Sequence, residues 1–344
     1  MIRSSTERSR PLYGPAVTGD EARRPRVAIV VLNWNGKDHT KACLSSLVTD
    51  SYPSATIIVV DNGSTDGSLD MLRRDFPESA TLRYISSTTN LGYAGGNNLG
   101  IVRAIEDGAE YVLLLNNDTL IDPGFLDCLV SVIEREARVG VVGPKVLCHP
   151  RRDLIFSEGE RYSLWFNWRR TIDVGALDDQ ADHPPRDVDY VVGCAILVSR
   201  EFVGRVGLLD ETFFLYYEEM DWCFRGRKLG FRVVYVPQAR VYHRGGASTG
   251  GEGQPLVEYY KTRNLIYFMR KHAAPYHWIM FVPVFCLSVT KRLIRAFRHG
   301  NRAAIVAIAH ALWWQFRPES VYARMPPGGH ATGVPPTPGY RETS

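Results

Sequence analysis

The sequence of 344 residues lacks several features that assign a protein to a class at once. Neither GxGxxG nor GxxxxGK[ST] occurs, so the dinucleotide fingerprint and the P-loop are both absent. No two cysteines form a CxxC pair, which disfavours a structural zinc site. The cysteines lie mostly in apolar surroundings, and we expect reduced residues of a cytoplasmic protein. They are Cys43, Cys128, Cys148, Cys194, Cys223 and Cys286.

The chain also lacks a strong excess of either charge, with 41 Lys and Arg against 37 Asp and Glu. The net charge of +4 is too small to suggest nucleic acid as a partner. Residues up to Pro25 contain no apolar segment of the kind found in signal peptides, and we expect none. We predict that residues 1–25 and the Pro- and Gly-rich residues 325–344 are disordered. A hydrophobic fraction of 45% predicts that the rest of the chain folds.

Apolar runs alternate with segments of helical spacing in the first 120 residues. This alternation predicts an α/β fold with a mainly parallel sheet covered by helices. In such sheets ligands bind at the carboxyl ends of the strands, so Asn33, Asp61 and Asp118 should meet at one edge. The predicted strands are Val27–Leu32, Thr56–Val60, Leu82–Ile85 and Tyr111–Leu115, and the predicted helices are Lys37–Val48 and Ser68–Asp75.

Two carboxylates at that edge are candidate ligand-binding residues. Asp118 suits Mg²⁺, which often takes only one or two carboxylates together with diphosphate oxygens. Asp61 can accept a hydrogen bond from a base or a ribose. The alternatives are that Asn117–Asp118 only turn the chain, and that Asp61 belongs to a strand-to-helix turn.

A second predicted loop, Asn90–Asn98, is rich in glycine and amide side chains. Its glycines would let the backbone approach a ligand closely. A helix is predicted to follow over Leu99–Asp107. The position of this loop between strands that end at Asp61 and Asp118 favours a role in ligand binding.

The second half carries a cluster of acids among aromatic residues. Glu218, Glu219 and Asp221 follow Phe213, Phe214, Tyr216 and Tyr217. An aromatic setting and a second acid nearby both raise the pKa of a carboxyl group towards a value useful for a general base. The alternative is that these acids only complement the N-terminus of a helix through Trp222 and Leu229.

Other segments of the second half have less specific patterns. We predict a helix over Phe125–Ala137, and residues 149–185, with Trp165 and Trp168, form either an acceptor loop or an insertion. The predicted strands are Val139–Lys145, Val188–Val198, Phe231–Pro237 and a short run that begins at Val241.

Beyond Gly253 the pattern is helical. The apolar run Trp278–Val289 is short for a membrane span and contains Pro283. Basic and apolar residues mix in Lys291–His299, and Ala303–Phe316 is apolar again. These helices suit the interface of an anionic membrane, or alternatively a subdomain that packs on the sheet or on another subunit.

Four motifs together resemble family 2 glycosyltransferases of the GT-A fold, and most of all the rhamnosyltransferases of bacterial polysaccharide assembly. The similarity runs from about Val27 to about Ser248. The motifs are Val31–Gly36, Val59–Ser68, Asn90–Asn98 and Leu115–Thr119.

The resemblance implies roles for individual residues. Asp118 ends a DXD-like motif, Asn116–Asn117–Asp118, that binds Mg²⁺ or Mn²⁺, and His243 completes the metal site or contacts the diphosphate. Glu219 aligns with the family's base, Glu218 is the second choice, and Asp221 positions the loop or helix. The expected donor-binding residues are Asn33, Asn35, Asp61, Asn62, Gly63, Asn90, Gly92, Gly95, Asn97, Asn117 and Asp118.

The resemblance also implies an inverting transfer of L-rhamnose from dTDP-rhamnose to a saccharide or polyprenyl-linked saccharide. A UDP-sugar or GDP-mannose donor is an alternative, and so is a non-catalytic nucleotide-sugar-binding assembly protein. We expect a protein on the inner face of the plasma membrane, and the sequence leaves a homo-oligomer open. The expected domains are a catalytic unit, 26–253, divided at residue 120, and a helical membrane-proximal extension, 254–324.

Overall fold

The computed structural model describes residues 23–50, 52–171, 174–179, 183–245 and 253–316. The predicted disorder of residues 1–22 and 325–344 lies outside these residues, as do residues 246–252.

The described residues form a ten-stranded mixed sheet and a separate two-stranded hairpin. The sheet order is β10-β12-β6-β11-β4-β1-β2-β3, with β5 on β12 and β7 on β6, and the hairpin is β8-β9. The strands are β1 (Val27–Asn33), β2 (Ala55–Asn62), β3 (Leu82–Ser87), β4 (Tyr111–Asn116), β5 (Thr119–Ile121), β6 (Val139–Cys148), β7 (Ile155–Ser157), β8 (Glu160–Ser163), β9 (Trp168–Thr171), β10 (Arg186–Asp187), β11 (Ala195–Ser199) and β12 (Arg232–His243).

Helices cover both faces of the sheet. They are α1 (Lys37–Val48), α2 (Ser68–Asp75), α3 (Gly92–Glu106), α4 (Phe125–Arg135), α5 (Arg200–Val206), α6 (Glu218–Lys228), α7 (Pro255–His272), α8 (Trp278–Arg298) and α9 (Arg302–Trp313). Strand β1 is buried on both faces, as expected for a parallel strand between helices: Val30 packs into one core and Val31 into the other. The predicted α/β class and the mainly parallel sheet are confirmed.

The register brings the predicted polar residues to one edge. Strand β1 runs parallel to β2 and β4, with Asn33 opposite Asp61 and Leu32 opposite Asn116. Strand β11 is antiparallel to β4, so its first residue, Ala195, lies opposite Leu115. The start of β11 and the ends of β1, β2 and β4 therefore share this edge.

The prediction of a loop over Asn90–Asn98 is wrong from Gly92 onwards, because α3 begins at Gly92. A Cβ on Gly96 would lie 2.5 Å from Leu32, and one on Gly100 would lie 2.3 Å from Val30. These glycines allow the helix to pack closely on β1, so their number reflects packing and not loop flexibility.

Two strand predictions also need correction. The predicted strand Val188–Val198 is a strand only from Ala195, and the residues before it bond irregularly to Glu160 and Val233. The two runs predicted after Phe231 belong to one strand, β12, with an irregularity between Val236 and Arg240.

The C-terminal segment is helical, as predicted. Helix α7 packs Leu265, Phe268 and Met269 into the same core as α3 and α6, so it is continuous with the sheet unit. Among the described helices none is both long enough and apolar enough to cross a membrane.

Candidate active site

The donor edge of the sheet is organised around Asn33. Its side-chain amide donates to Asp61 Oδ1 at 2.8 Å and to Ser68 Oγ at 2.8 Å, and its carbonyl accepts from the Thr40 hydroxyl at 2.7 Å. The backbone N–H of Ser64 donates to the other Asp61 oxygen at 3.2 Å. The predicted meeting of Asn33 and Asp61 is confirmed, and Asn33 acts there as a buried bridge between β1 and β2.

Two neighbouring predicted residues also have protein partners. The amide of Asn117 donates to Thr40 Oγ1 at 2.9 Å. The carbonyl of Asn35 accepts from the backbone N–H of Thr65 at 2.8 Å. Both side chains thus hold the turns that follow β4 and β1.

Asn62 fastens the end of β2 to the start of α3. Its amide donates to Asn90 Oδ1 and to the Gly92 carbonyl, both at 3.0 Å, and its carbonyl accepts from Leu91 N–H at 2.9 Å. Gly63 follows in the left-handed region, with φ of 75°.

The remaining predicted donor residues lie within α3. Asn97 donates to the Tyr93 carbonyl at 2.9 Å, and a Cβ on Gly95 would meet Leu91 at 2.9 Å. A Cβ on Gly92, where φ is 73°, would lie 2.4 Å from the Phe214 carbonyl oxygen. Gly92 thus permits the contact between α3 and the segment before α6.

Asp118 and His243 form the candidate metal site. His243 Nε2 lies 3.2 Å from Asp118 Oδ1, and that buried oxygen has no hydrogen-bond partner in the described part of the chain. Burial opposes ionisation of Asp118, but His243 outweighs it and holds the pKa of this carboxyl below its usual value.

The two side chains fit a hard cation with few protein ligands. Within the described ranges no group of three or more His, Cys, Asp and Glu side chains could hold a metal ion. Further ligands would therefore come from the diphosphate of a donor and from water. Arg244 closes this corner, because its backbone N–H donates to the Asp118 carbonyl at 3.1 Å and its guanidinium lies 3.1 Å from His39 Nδ1.

The segment before α6 has an unusual backbone. Phe214, Tyr216 and Tyr217 all have φ between 62° and 77°, a region that side chains disfavour. Helix α7 holds this segment: the Asn264 amide donates to the carbonyls of Phe213, Leu215 and Tyr216 at 2.7–2.8 Å. The Arg263 guanidinium donates to the carbonyls of Thr212 and Phe213.

Glu218 and Glu219 begin α6 inside the protein, and each has one buried carboxylate oxygen with no partner among the described residues. Burial and the neighbouring Glu219 raise the pKa of Glu218 well above its usual value. Burial also raises the pKa of Glu219, against the opposing charge of Arg169. These are the properties of carboxyl groups that can exchange a proton.

Asp221 differs from this pair. It accepts hydrogen bonds from Arg225 Nε, Lys271 Nζ and His272 Nε2, each at 2.8 Å. Burial opposes ionisation, but His272 and Lys271 outweigh it and lower the pKa of Asp221 to about 2. Asp221 ties α6 to α7, which suits the positioning role.

The acid pair and the metal pair are linked through one short segment, residues 193–194. A Cβ on Gly193 would lie 3.7 Å from the Glu219 carboxyl carbon, and the next residue, Cys194, accepts from Asn116 N–H at 2.9 Å. The Tyr93 hydroxyl donates to the Gly193 carbonyl at 2.5 Å. Residues 193–194 therefore form a short bridge from Glu219 to the strand end before Asp118.

Several residues of this site have no assigned role in the sequence analysis. Arg263 and Asn264 stand out only as members of a helical pattern, and nothing local links them to a segment some fifty positions earlier. Lys271, His272 and Arg169 lie in no motif, and Tyr93 lies within Asn90–Asn98 without a predicted role. An Arg-Asn pair within an otherwise apolar helix face is the one available signal, since buried polar residues need partners.

Comparison with known proteins identifies the family. Residues 25–263 match the family model described as "Glycosyltransferase like family 2". The chain belongs to this family of glycosyltransferases. The predicted family and the GT-A fold are thereby confirmed.

Two relatives and one solved structure illustrate the similarity. The N-acetylglucosaminyl-diphospho-decaprenol L-rhamnosyltransferase of Mycobacterium tuberculosis is 28% identical over 273 residues, which are 73% of this chain and 88% of the relative. The dTDP-rhamnosyl transferase RfbF of Shigella flexneri is 24% identical over 259 residues, 73% and 83% of the two chains. The mannosyltransferase PcManGT of Pyrobaculum calidifontis, solved with GDP-Man and Mn²⁺, shares the fold with a TM-score of 0.54, 17% identity and coverage of 89% and 85%.

Proposed function

We propose that this glycosyltransferase moves L-rhamnose from dTDP-rhamnose, with inversion, to a saccharide or lipid-linked saccharide. One observation carries the catalytic part: Glu219, with a raised pKa and an oxygen that has no partner among the described residues, lies beside residues 193–194, which bond to the end of β4 just before Asp118. The two relatives named as rhamnosyltransferases support the choice of sugar, and the name of one of them supports a lipid-linked acceptor.

Glu219 would accept the proton of the acceptor hydroxyl while the oxygen of that hydroxyl attacks the anomeric carbon. The carbon–oxygen bond to the nucleoside diphosphate breaks on the opposite face, which inverts the configuration. Asp61 would orient the nucleoside. Asp118 and His243 would hold Mg²⁺ or Mn²⁺, which when bound neutralises the charge of the departing diphosphate.

We also propose that the protein works at the inner face of the plasma membrane. Helix α8 exposes an apolar stripe, and no Asp or Glu occurs between Glu258 and Glu319. An amphipathic helix without acids suits an anionic lipid surface. The exposed apolar residues of α8 include Ile279, Met280, Val282, Leu287, Ile294 and Phe297.

Binding and hydrolysis of nucleotide sugars by the purified chain test the catalytic proposal. We expect dTDP-rhamnose to bind and to hydrolyse slowly with Mg²⁺ or Mn²⁺, and EDTA to abolish both. Preference for a UDP-sugar or GDP-mannose would overturn the choice of donor. Binding without turnover, even with membrane lipid extracts, would favour a nucleotide-sugar-binding protein.

Flotation with liposomes tests the membrane proposal separately. The protein should float with vesicles that contain anionic lipid and remain below in their absence. Recovery of all protein in the lower fraction with both vesicle types would contradict it.

A further inference from the structure

The hairpin β8-β9 carries an exposed aromatic tip next to the start of α8. The tip residues Trp165 and Phe166 are 42% and 55% exposed. Trp165 packs against two rings just before α8. The centroid distance is 5.3 Å to Tyr276, whose ring is tilted, and 4.9 Å to His277, whose ring lies edge-on. The hairpin tip and the start of α8 thus meet in one surface.

The hairpin is firmly rooted. The Tyr162 ring packs edge-on against Phe224 and Phe268, at 6.1 Å and 5.6 Å between centroids. Its hydroxyl donates to the Asn167 side chain at 2.7 Å, where the backbone turns with φ of 48°. The exposure of Trp165 and Phe166 is therefore a feature of an anchored turn.

We infer that this surface binds the isoprenoid chain of a lipid-linked acceptor, and that Arg169 binds the acceptor's diphosphate. The inference rests on the proposed function and names the class of acceptor. We call the surface the aromatic platform; it consists of Trp165, Phe166, Tyr276, Ile279 and Met280.

The order of chemical groups supports this assignment. Arg169 follows the tip on β9 and lies opposite Tyr162, whose ring packs on Phe224 of α6. The Arg169 side chain is 62% exposed, its Nε lies 3.9 Å from Oε2 of the buried Glu160, and its charge also acts on Glu219. A guanidinium suits a diphosphate because it presents several N–H donors in one plane. The path from Glu219 through Arg169 to the platform thus matches a sugar, its diphosphate and its hydrocarbon chain.

The composition of the platform favours a hydrocarbon over a saccharide. Ile279 and Met280 are 65% and 42% exposed and offer no hydrogen bonds, whereas a sugar needs donors and acceptors. The stretch from Tyr259 to Pro318, which supplies Tyr276, Ile279 and Met280, has no acid. The acids near Arg169 are Glu160 and Glu219, whose charge its guanidinium offsets.

Binding of farnesyl diphosphate to the full chain tests the inference without any turnover. The experiment includes saturating dTDP and Mg²⁺, so that the donor site is filled, and compares farnesyl diphosphate with farnesol and inorganic diphosphate. We expect farnesyl diphosphate to bind more tightly than either fragment, because only it engages both Arg169 and the platform.

Two variants and two matched controls separate diphosphate binding by Arg169 from hydrocarbon binding by the aromatic platform. Arg169→Gln should weaken farnesyl diphosphate binding about tenfold and remove its advantage over farnesol. The double variant Trp165→Ala/Phe166→Ala should weaken binding about tenfold and remove the advantage over inorganic diphosphate. Trp168→Ala and Arg161→Gln should bind as the unmodified protein does, since alternation along each strand places both on the other face of the hairpin from Arg169.

Equal binding by all variants would overturn the inference, as would a wild-type chain that prefers either fragment. Thermal unfolding of each variant confirms that the fold is kept. A chain that binds farnesyl diphosphate as expected but hydrolyses no nucleotide sugar would refute the proposed transfer and leave the lipid site in place, so the two failures are distinguishable.

Discussion

The asparagines of the donor edge and the acids at the start of α6 differ in how their polar groups are satisfied. At the donor edge Asn33 and Asn62 are saturated by hydrogen bonds to other protein groups. At the start of α6, Glu218 is buried and Glu219 is partly buried, and each keeps a buried oxygen that has no partner among the described residues. An unsatisfied buried carboxylate is costly, so it persists where it has a chemical use. Polar residues of a motif can therefore have a structural role, as Asn33 and Asn62 do. Polar residues that keep an atom without a hydrogen-bond partner are the better candidates for catalysis.

The largest expected effect comes from Glu219→Gln. The amide cannot accept the proton of the acceptor hydroxyl, so transfer should fall roughly a thousandfold. Donor binding should persist, because no donor-edge residue contacts Glu219 in the described structure. Initial rates of transfer, with donor affinity measured by calorimetry, check this. Turnover near the normal rate would remove Glu219 from the mechanism.

The next effect concerns the support of the acid pair. Asn264→Ala removes the amide group that donates to three carbonyls in a segment with positive φ. We expect the free energy of unfolding to fall by about 3 kcal/mol, because these carbonyls lose their partner. The value of kcat should fall as well, since the segment leads directly into Glu218 and Glu219.

Gln315→Ala provides the matched control for this variant. The Gln315 amide donates to the carbonyls of Arg263 and Ala311 and is not bonded to the segment before α6. Denaturant unfolding and kcat at a temperature where both variants are folded should separate them. If both lose kcat equally, α7 does not position the acids.

Much of the fold and part of the site could be predicted from local patterns. Strand ends identified Asn33, Asp61 and Asp118 at one edge, because parallel strands share their direction. The prediction of a loop over Asn90–Asn98 was wrong because glycine spacing looks the same in a flexible turn and in a helix packed tightly on a strand. The contact of Asp118 with His243 required the family resemblance, since more than a hundred residues separate them.

The framework role of the asparagines could not be predicted. A motif shows that Asn62 and Asn90 are present, but only the folded chain shows that they bond to each other. The clamp of Arg263 and Asn264 on the segment before α6 depends on the packing of α7, which no local pattern encodes.

Asn62→Ala tests whether Asn62 has a structural role at the donor edge and not a ligand-binding one. The variant leaves Leu91 N–H and the Gly92 carbonyl without their present partner. The free energy of unfolding should fall by about 2 kcal/mol, while KM for the donor should stay within about twofold. Asp61→Asn is the contrasting variant and should weaken donor binding, since Asp61 is the proposed nucleoside contact. Unfolding by urea and donor KM check both; a large rise of donor KM in Asn62→Ala would return Asn62 to the ligand-binding set.

The smallest expected effect is that of Glu218→Gln on the pH profile. Activity should fall as pH decreases through the pKa of Glu219, because the base must be ionised, and this limb should lie above the ordinary value of 4.5. The titratable and charged groups around Glu219 are Glu218, Glu160, Arg169, Tyr93, Tyr190, Tyr217, Cys194 and Cys223.

Burial of Glu218 and the charge of Glu219 raise the pKa of Glu218 well above its usual value. A glutamine at 218 reproduces a Glu218 that keeps its proton while Glu219 ionises, and the variant tests that order. Rate profiles for transfer should superimpose for the unmodified chain and Glu218→Gln, with kcat within about twofold, the difference expected when no charge is changed. An inactive Glu218→Gln variant together with an active Glu219→Gln variant would make Glu218 the base instead of Glu219. An acidic limb that moves to lower pH in Glu218→Gln would mean that Glu218 is ionised first.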